Sequence, residues 1–299
     1  MVKKKFKIKD QTGLLFHNLW KDLSDKQFLN SIENIVKRLK INNFNKSNFK
    51  KKIVLDVGCG SGRWCLLSSQ LGAKKVIGID SSIKNINYNK KKFKKFPNIQ
   101  FTYGDNTRLS IKDNFSDITI SQGVIHHTTD MFKSLDELIR VTKKKGKILL
   151  LVYGEDGFRW NLIKKLRPFA KILGKRKIIS AMKKGEFSEN NIKHFVDDLF
   201  VPIQYQTDLN HLLEYTKSKT RKIKIWNKTQ TLDHEENIKS YLKEFYKLKK
   251  IFKKIENNFY KKICLKIIDS YINEIIILKN SNLSFIKKKY LIIGQGLHR

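Results

Sequence analysis

The stretch Ile53-Val-Leu-Asp56-Val-Gly58-Cys59-Gly60-Ser61-Gly62-Arg63 decides the fold. A short β-branched run closes on an acid, and three glycines follow at alternate positions. A buried parallel strand that feeds a helix reads this way. Glycines at such a junction let the backbone approach a ligand closely and aim its amides there. The spacing is not the G-x-G-x-x-G of a dinucleotide site, and no G-K-[ST] follows as in a phosphate loop. Asp56 at the strand end would repel a pyrophosphate and suits a cationic ligand.

Outward from this turn the pattern repeats. Trp64, Leu67, Ser68 and Leu71 fall at helical spacing, with Gly72 as a stop. Strands are expected at 75–80, 99–103, 117–121 and 146–153. Ser81-Ser82 caps one intervening helix, which ends before Pro97, and Asp130 caps another that buries Met131, Leu135, Leu138, Ile139 and Thr142. Such alternation implies right-handed crossovers and a parallel sheet covered on both faces.

Chemistry-bearing residues gather where strands end, the edge at which open parallel sheets bind ligands. Asp80 ends the second strand, and an acid there can accept both hydroxyls of a ribose. Gly104-Asp105-Asn106 follows the third, where a carboxylate can take an adenine amino group; the alternative for Asp80 and Asp105 is a helix or turn cap. Ser121-Gln122-Gly123-Val-Ile-His126-His127-Thr128 follows the fourth. Histidine titrates near neutrality, so His126 or His127 could remove a proton from an attacking group; the alternative for either is a satisfied scaffold residue. Cys59 reads as a small buried turn residue, since nothing adjacent supplies a base. A metal site from His126, His127 and Asp130 is disfavoured, because adjacent side chains rarely chelate one ion.

These ordered segments, Leu55–Gly62, Gly78-Ile-Asp80-Ser81, Gly104-Asp105 and Ser121–Asp130, resemble class I S-adenosylmethionine-dependent methyltransferases. The resemblance is closest to the ubiquinone/menaquinone-biosynthesis group, with its Gly-Val-Leu-His-His-Thr segment. Arg140-Val-Thr-Lys-Lys-Lys-Gly146 resembles that group's Arg-Val-Leu-Lys-Pro-Gly-Gly turn, with lysines in place of the proline and one glycine. The resemblance covers residues 51–153. It implies an α/β, Rossmann-like sheet of seven strands in the order 3-2-1-4-5-7-6, the last antiparallel. It also implies S-adenosyl-L-methionine as cofactor, with Asp56 and Gly58–Gly62 (Gly58, Cys59, Gly60, Ser61 and Gly62) along its methionine part, Asp80 on the ribose and Asp105 on the adenine. Ser81, Asn106, Gln122 and Gly123 complete the expected cofactor set.

Around this core the sequence suggests a helical cap over 1–50 and a helical acceptor lid over 154–220. Residues 221–299 read as C-terminal strands at 221–226 and 289–294, with a helical insertion at about 235–282. Phe16, Trp20, Phe158 and Trp160 are candidate walls of an acceptor site. The expected acceptor is a small molecule, methylated on O, N or C. The alternatives are an RNA or protein methyltransferase and a catalytically idle interaction subunit. The formal net charge of +36, from 63 Lys+Arg against 27 Asp+Glu, first suggests nucleic acid. Only nine of those cations are arginine, the residue that forks onto phosphates and bases, so the excess reads as compositional. No N-P-P-[YFW] segment follows the fourth strand, which argues against a base-amino target. Three cysteines without paired spacing, no apolar signal segment and no run long enough to cross a bilayer suggest a reduced, cytoplasmic protein.

Overall fold

The computed structural model describes residues 11–18, 24–155, 158–226, 238–256, 258–280 and 291–293. By internal contacts the chain divides into two units. The first comprises 1–154, 202–232 and 290–299; the second comprises 155–201 and 233–289.

The first unit is built on a sheet in the order β3-β2-β1-β4-β5-β6. Its strands are β1 (Ile53–Val57), β2 (Lys75–Asp80), β3 (Ile99–Tyr103), β4 (Ser116–Gln122), β5 (Thr142–Val152) and β6 (Leu291–Ile293), and the unit's helices include α1 (11–18), α3 (Lys46–Phe49), α4 (Arg63–Gln70) and α10 (Leu209–Lys217). The first five are parallel, and β6 runs antiparallel to β5. Period-two alternation splits the apolar residues between two cores. Val54, Val76, Ile118, Ile120 and Leu149 face one side, where α2 (Asp25–Ile41) contributes Phe28, Ile32, Ile35 and Leu39. Leu55, Val57, Ile77, Ile79, Ile148 and Leu150 face the other, against Met131, Leu135 and Leu138 of α6 (Met131–Val141). The capping expected from the sequence is present: Asp130 accepts the Lys133 amide and Ser82 accepts the Asn85 amide.

Two expectations need correction. The strand foreseen at 221–226 is irregular backbone with an isolated bridge at Ile225. Its alternation instead records Trp226, which is buried against Phe44 at 6.0 Å between ring centroids, while Ile225 faces solvent. Among the described residues the sheet therefore has six strands, not seven. The fifth strand also begins earlier than expected, at Thr142, directly after α6.

The second unit is helical: α7 (Phe158–Leu173), α8 (Lys175–Lys184), α9 (Glu189–Phe200), α11 (Ile238–Lys253) and α12 (Phe259–Asn280). Leu162, Leu166, Met182, Phe245, Phe252 and Ile268 lie in its interior. Arg159 ties three of its helices together through ion pairs with Asp198 and Glu244. Among the described residues, no helix is long and apolar enough to cross a membrane.

Candidate active site

The turn after β1 is drawn over β2 by the amides of Gly58 and Cys59, which both donate to the Ile79 carbonyl, at 2.7 and 2.9 Å. Gly58, Gly60 and Gly62 all have positive φ, at 82°, 51° and 78°, a conformation that strains any other residue. Their surroundings differ. A Cβ on Gly58 would lie 2.2 Å from Val124 Cγ1, and one on Gly62 would lie 2.6 Å from the Phe93 ring. A Cβ on Gly60 would meet nothing within 4 Å. The backbone at Gly60 is thus open where a side chain would project. Asn89 of α5 (Ile83–Lys92) holds the loop from behind by donating to the Gly60 carbonyl at 2.7 Å.

Two acids sit beneath this loop. Asp80 Oδ2 accepts the Gly60 amide at 2.8 Å; Oδ1 accepts the Ser82 amide at 2.8 Å and the Asn85 side chain at 3.4 Å. Burial raises its pKa, and these donors oppose the rise. Asp56 is buried too, with Cys65 donating to it at 3.3 Å. Burial pushes it up to about 7, with repulsion from Asp80 adding and the Cys65 bond and Arg63 opposing. Two buried acids, offset by Arg63 and by hydrogen-bond donors, leave a net demand for positive charge. Cys59 has its thiol pushed up to about 11, chiefly by burial, which leaves no reactive thiolate at neutral pH.

At the next loop, Asp105 Oδ1 accepts the Thr107 amide at 2.9 Å and the Thr107 hydroxyl at 2.8 Å, which fixes its orientation. The Asn106 Oδ1 beside it is buried with no protein partner among the described residues. Ser81, Asp105, Asn106 and His127 border one cavity, together with Thr12, Thr128, Thr129 and Ile203. Gln122 and Gly123 stand at the end of β4, where the Gly123 amide donates to the Leu151 carbonyl at 3.0 Å; neither borders that cavity.

The histidine pair occupies a single 3-10 turn, Ile125–His127, and the two rings have different settings. His126 is fully buried, 3.9 Å from the Tyr153 ring between centroids, and neither ring nitrogen has a hydrogen-bond partner among the described residues. Burial, with His127 adding, holds its pKa well below the ordinary histidine range. His127 reaches the cavity, its Nδ1 bonded to the Ile203 carbonyl at 2.8 Å.

Within the helical residues 11–18 (α1), the sequence pointed to Phe16 as a candidate acceptor wall but did not assign the rest of the helix to this edge. Thr12 lines the cavity, His17 Nδ1 lies 2.7 Å from Asn85 Oδ1, and the Phe16 ring stands 5.0 Å from that of His127. Only a lone histidine in an amphipathic stretch could have signalled it. Of the other proposed walls, Trp160 is buried within the helical unit, and Trp20 and the Phe158 side chain lie outside the described residues.

Residues 55–150 match the family described as "Methyltransferase domain". This segment is a class I methyltransferase domain. Its cofactor is S-adenosylmethionine. Over 100 residues the chain is 39% identical to a demethylmenaquinone methyltransferase of Staphylococcus saprophyticus, covering 32% of this chain and 42% of that protein. Over 111 residues it is 30% identical to a tRNA U34 carboxymethyltransferase of Campylobacter fetus, covering 34% and 37%. The chain thus spans about two fifths of the length of these curated relatives. The crystal structure of a candidate methyltransferase from Bacillus halodurans superimposes with a TM-score of 0.50 at 14% identity, over 88% of this chain and 95% of that one, and shows the same fold. The residues of the methyltransferase domain fit its cofactor. The open space at Gly60, the two buried acids and the unpartnered Asn106 oxygen are the room, charge and acceptor that a cationic nucleoside requires.

Proposed function

We propose that this chain transfers the methyl group of S-adenosylmethionine to a small-molecule acceptor that enters beside His127. One observation carries the reading. The loops after β2, β3 and β4 present Ser81, Asp105, Asn106 and His127 to one cavity, at the sheet edge that also holds the glycine turn. When bound, the cofactor supplies an electrophilic methyl group on a positively charged sulfur.

The chain's own residues bind and orient. Gly58–Gly62 and ionised Asp56 hold the methionine part, with the carboxylate complementing its ammonium group. Asp80 Oδ1 already accepts the Ser82 amide and the Asn85 side chain, whereas among the described residues Oδ2 accepts only the Gly60 amide and keeps a lone pair for a ribose hydroxyl. Asp105 and Asn106 receive the adenine edge. Because a carbonyl only accepts, the His127 Nδ1 is the donor to Ile203, and in the neutral ring Nε2 is then the basic nitrogen. His127 is accordingly the residue we assign to removing the acceptor's proton. Buried, weakly basic His126 packs behind it against Tyr153. The Phe16 ring over His127 helps exclude water from the reacting groups.

The similarity to a demethylmenaquinone methyltransferase supports a small, quinone-like or lipid-linked acceptor. The lysine excess keeps an RNA acceptor as the second reading. Its signature would be retention on RNA that falls steeply with added salt. The test is to supply methyl-labelled cofactor and a cell extract, then divide the products into small molecules, RNA and protein. Label in the small-molecule fraction that disappears with His127→Ala is the expected result. Label confined to RNA or protein would overturn the acceptor class.

A further inference from the structure

The helical unit ends in two adjacent loops whose chemistry matches an anionic lipid surface. One joins α7 to α8 and the other joins α11 to α12. Lys177 Nζ in the first turn of α8 lies 4.0 Å from Glu256 Oε2, so the two junctions lie side by side. Beside the first, Ile172 in the last turn of α7 is 57% exposed, and exposed Lys175 and Arg176 open α8. Beside the second, exposed Lys253 ends α11, Lys254 follows it, and the start of α12 presents Phe259 at 69% exposure, Tyr260 at 38% and exposed Lys262. Phe259 is the most exposed large apolar side chain among the described residues. Glu256 is the one acid within 171–177 and 253–262.

Singly exposed apolar residues are ordinary on a protein surface, and so are lysines in this chain. Their combination at one end of a helical unit is not. Asn258 Oδ1 accepts the Lys261 amide at 2.8 Å and caps α12, while the Lys261 side chain donates to the Ile255 carbonyl and closes the turn. Phe252 and Ile255 are buried beneath it. The first turn of α12 therefore holds Phe259 and Tyr260 outward on a fixed frame, between Lys253-Lys254 and Lys262. Elsewhere, lysines such as Lys143, Lys219 and Lys249 are engaged with Asp117, Asp136 and Asp269.

We infer that this end of the helical unit docks on an anionic membrane surface, with Phe259, Tyr260 and Ile172 entering the headgroup boundary and the surrounding cations meeting the lipid phosphates. Polybasic segments are drawn to such a surface within a Debye length, and aromatic and aliphatic side chains then partition into its boundary. Exposed Ile172 favours lipid over nucleic acid, because an aliphatic side chain offers bases neither stacking nor hydrogen bonds. This inference stands independently of the acceptor's identity.

Flotation of the full chain with vesicles tests it. Vesicles of phosphatidylcholine and phosphatidylglycerol should carry the protein upward, pure phosphatidylcholine should not, and added salt should weaken the association. Lys253→Glu combined with Lys254→Glu should reduce binding at least tenfold, at roughly fivefold per lost cation. Phe259→Ser should also reduce it while leaving the salt dependence in place. Lys94→Glu combined with Lys95→Glu, the same charge change at exposed sites of the sheet unit, should leave it within about twofold. Equal losses from both pairs would mean diffuse charge and would overturn the assignment. No flotation by the wild-type chain would overturn it too. So would loss of polyuridine affinity in the Lys253/Lys254 variant with vesicle binding intact, which would make the surface a nucleic-acid one.

Discussion

The Asp80 carboxylate accepts the amide of Gly60 at 2.8 Å, so the acid assigned to the ribose also fixes the turn that faces the methionine part. Removing it should act on both ends of the cofactor. Asp80→Ala is expected to weaken S-adenosylhomocysteine binding by about hundredfold, since it deletes a charge-assisted bond to the ribose and frees the loop. Titration calorimetry on folded variant measures this directly. Unchanged affinity would remove Asp80 from the site.

Asp56 gives the site a pH dependence. Its folded pKa of about 7 lies above the ordinary 3.8, so between those values the native chain holds a proton that the unfolded chain has released. Stability from this group is therefore greatest at low pH, declines as pH rises through that window, and carries its full penalty above about 7. Asp56→Asn should raise the thermal midpoint at about pH 8 and change it little near pH 4. Cofactor affinity should move the opposite way, because the bound ammonium needs the ionised carboxylate. It should rise by up to about tenfold per pH unit below 7 and then level off, and in Asp56→Asn that rise should be absent.

The two histidines should separate cleanly. His127→Ala is expected to lower kcat by about a hundredfold or more while leaving cofactor affinity intact. His126→Phe should keep activity. It should also hold or raise stability, because it replaces a buried ring whose nitrogens lack partners. His126 has a folded pKa depressed below 6.5, so the native chain resists protonation and loses stability as pH falls through that value. His126→Phe should therefore flatten the acid side of the stability profile. Single-turnover rates and thermal melts across pH check both. Full turnover by His127→Ala would end its assignment as base.

Gly58 and Gly60 should fail differently. Gly58→Ala drives a methyl group to within 2.2 Å of Val124 and is expected to destabilise the fold by several kcal/mol. Gly60→Ala meets no protein atom within 4 Å, so its stability loss should be limited to about 1 kcal/mol of backbone strain. Its loss of cofactor affinity should be the larger effect. Thermal melts and calorimetry on the pair distinguish a ligand-facing glycine from a packing one.

The strands and turns that build this edge were legible because each is a local signal. Ile53–Val57 is β-branched and ends in glycines, and Ser82 and Asp130 sit where caps belong. What was not legible depends on distant partners. Residues 221–226 alternate like a strand, but the alternation only places Trp226 in a core shared with Phe44. The helices of 155–201 and 233–289 form one unit across an intervening stretch of the first, and no local period announces that pairing. The division between His126 and His127 was equally hidden: the two are adjacent, and only the approach of Ile203 and Tyr153 distinguishes them.

The most direct measurement is calorimetric titration of the wild-type chain with S-adenosylhomocysteine at about pH 8, where Asp56 is largely ionised. One saturable site per chain, weakened by Asp80→Ala and Gly60→Ala, is the expected outcome. Folded protein that releases or absorbs no heat with this nucleoside, and equally none with S-adenosylmethionine, would contradict the assignment of the sheet edge as a methyl-transfer site.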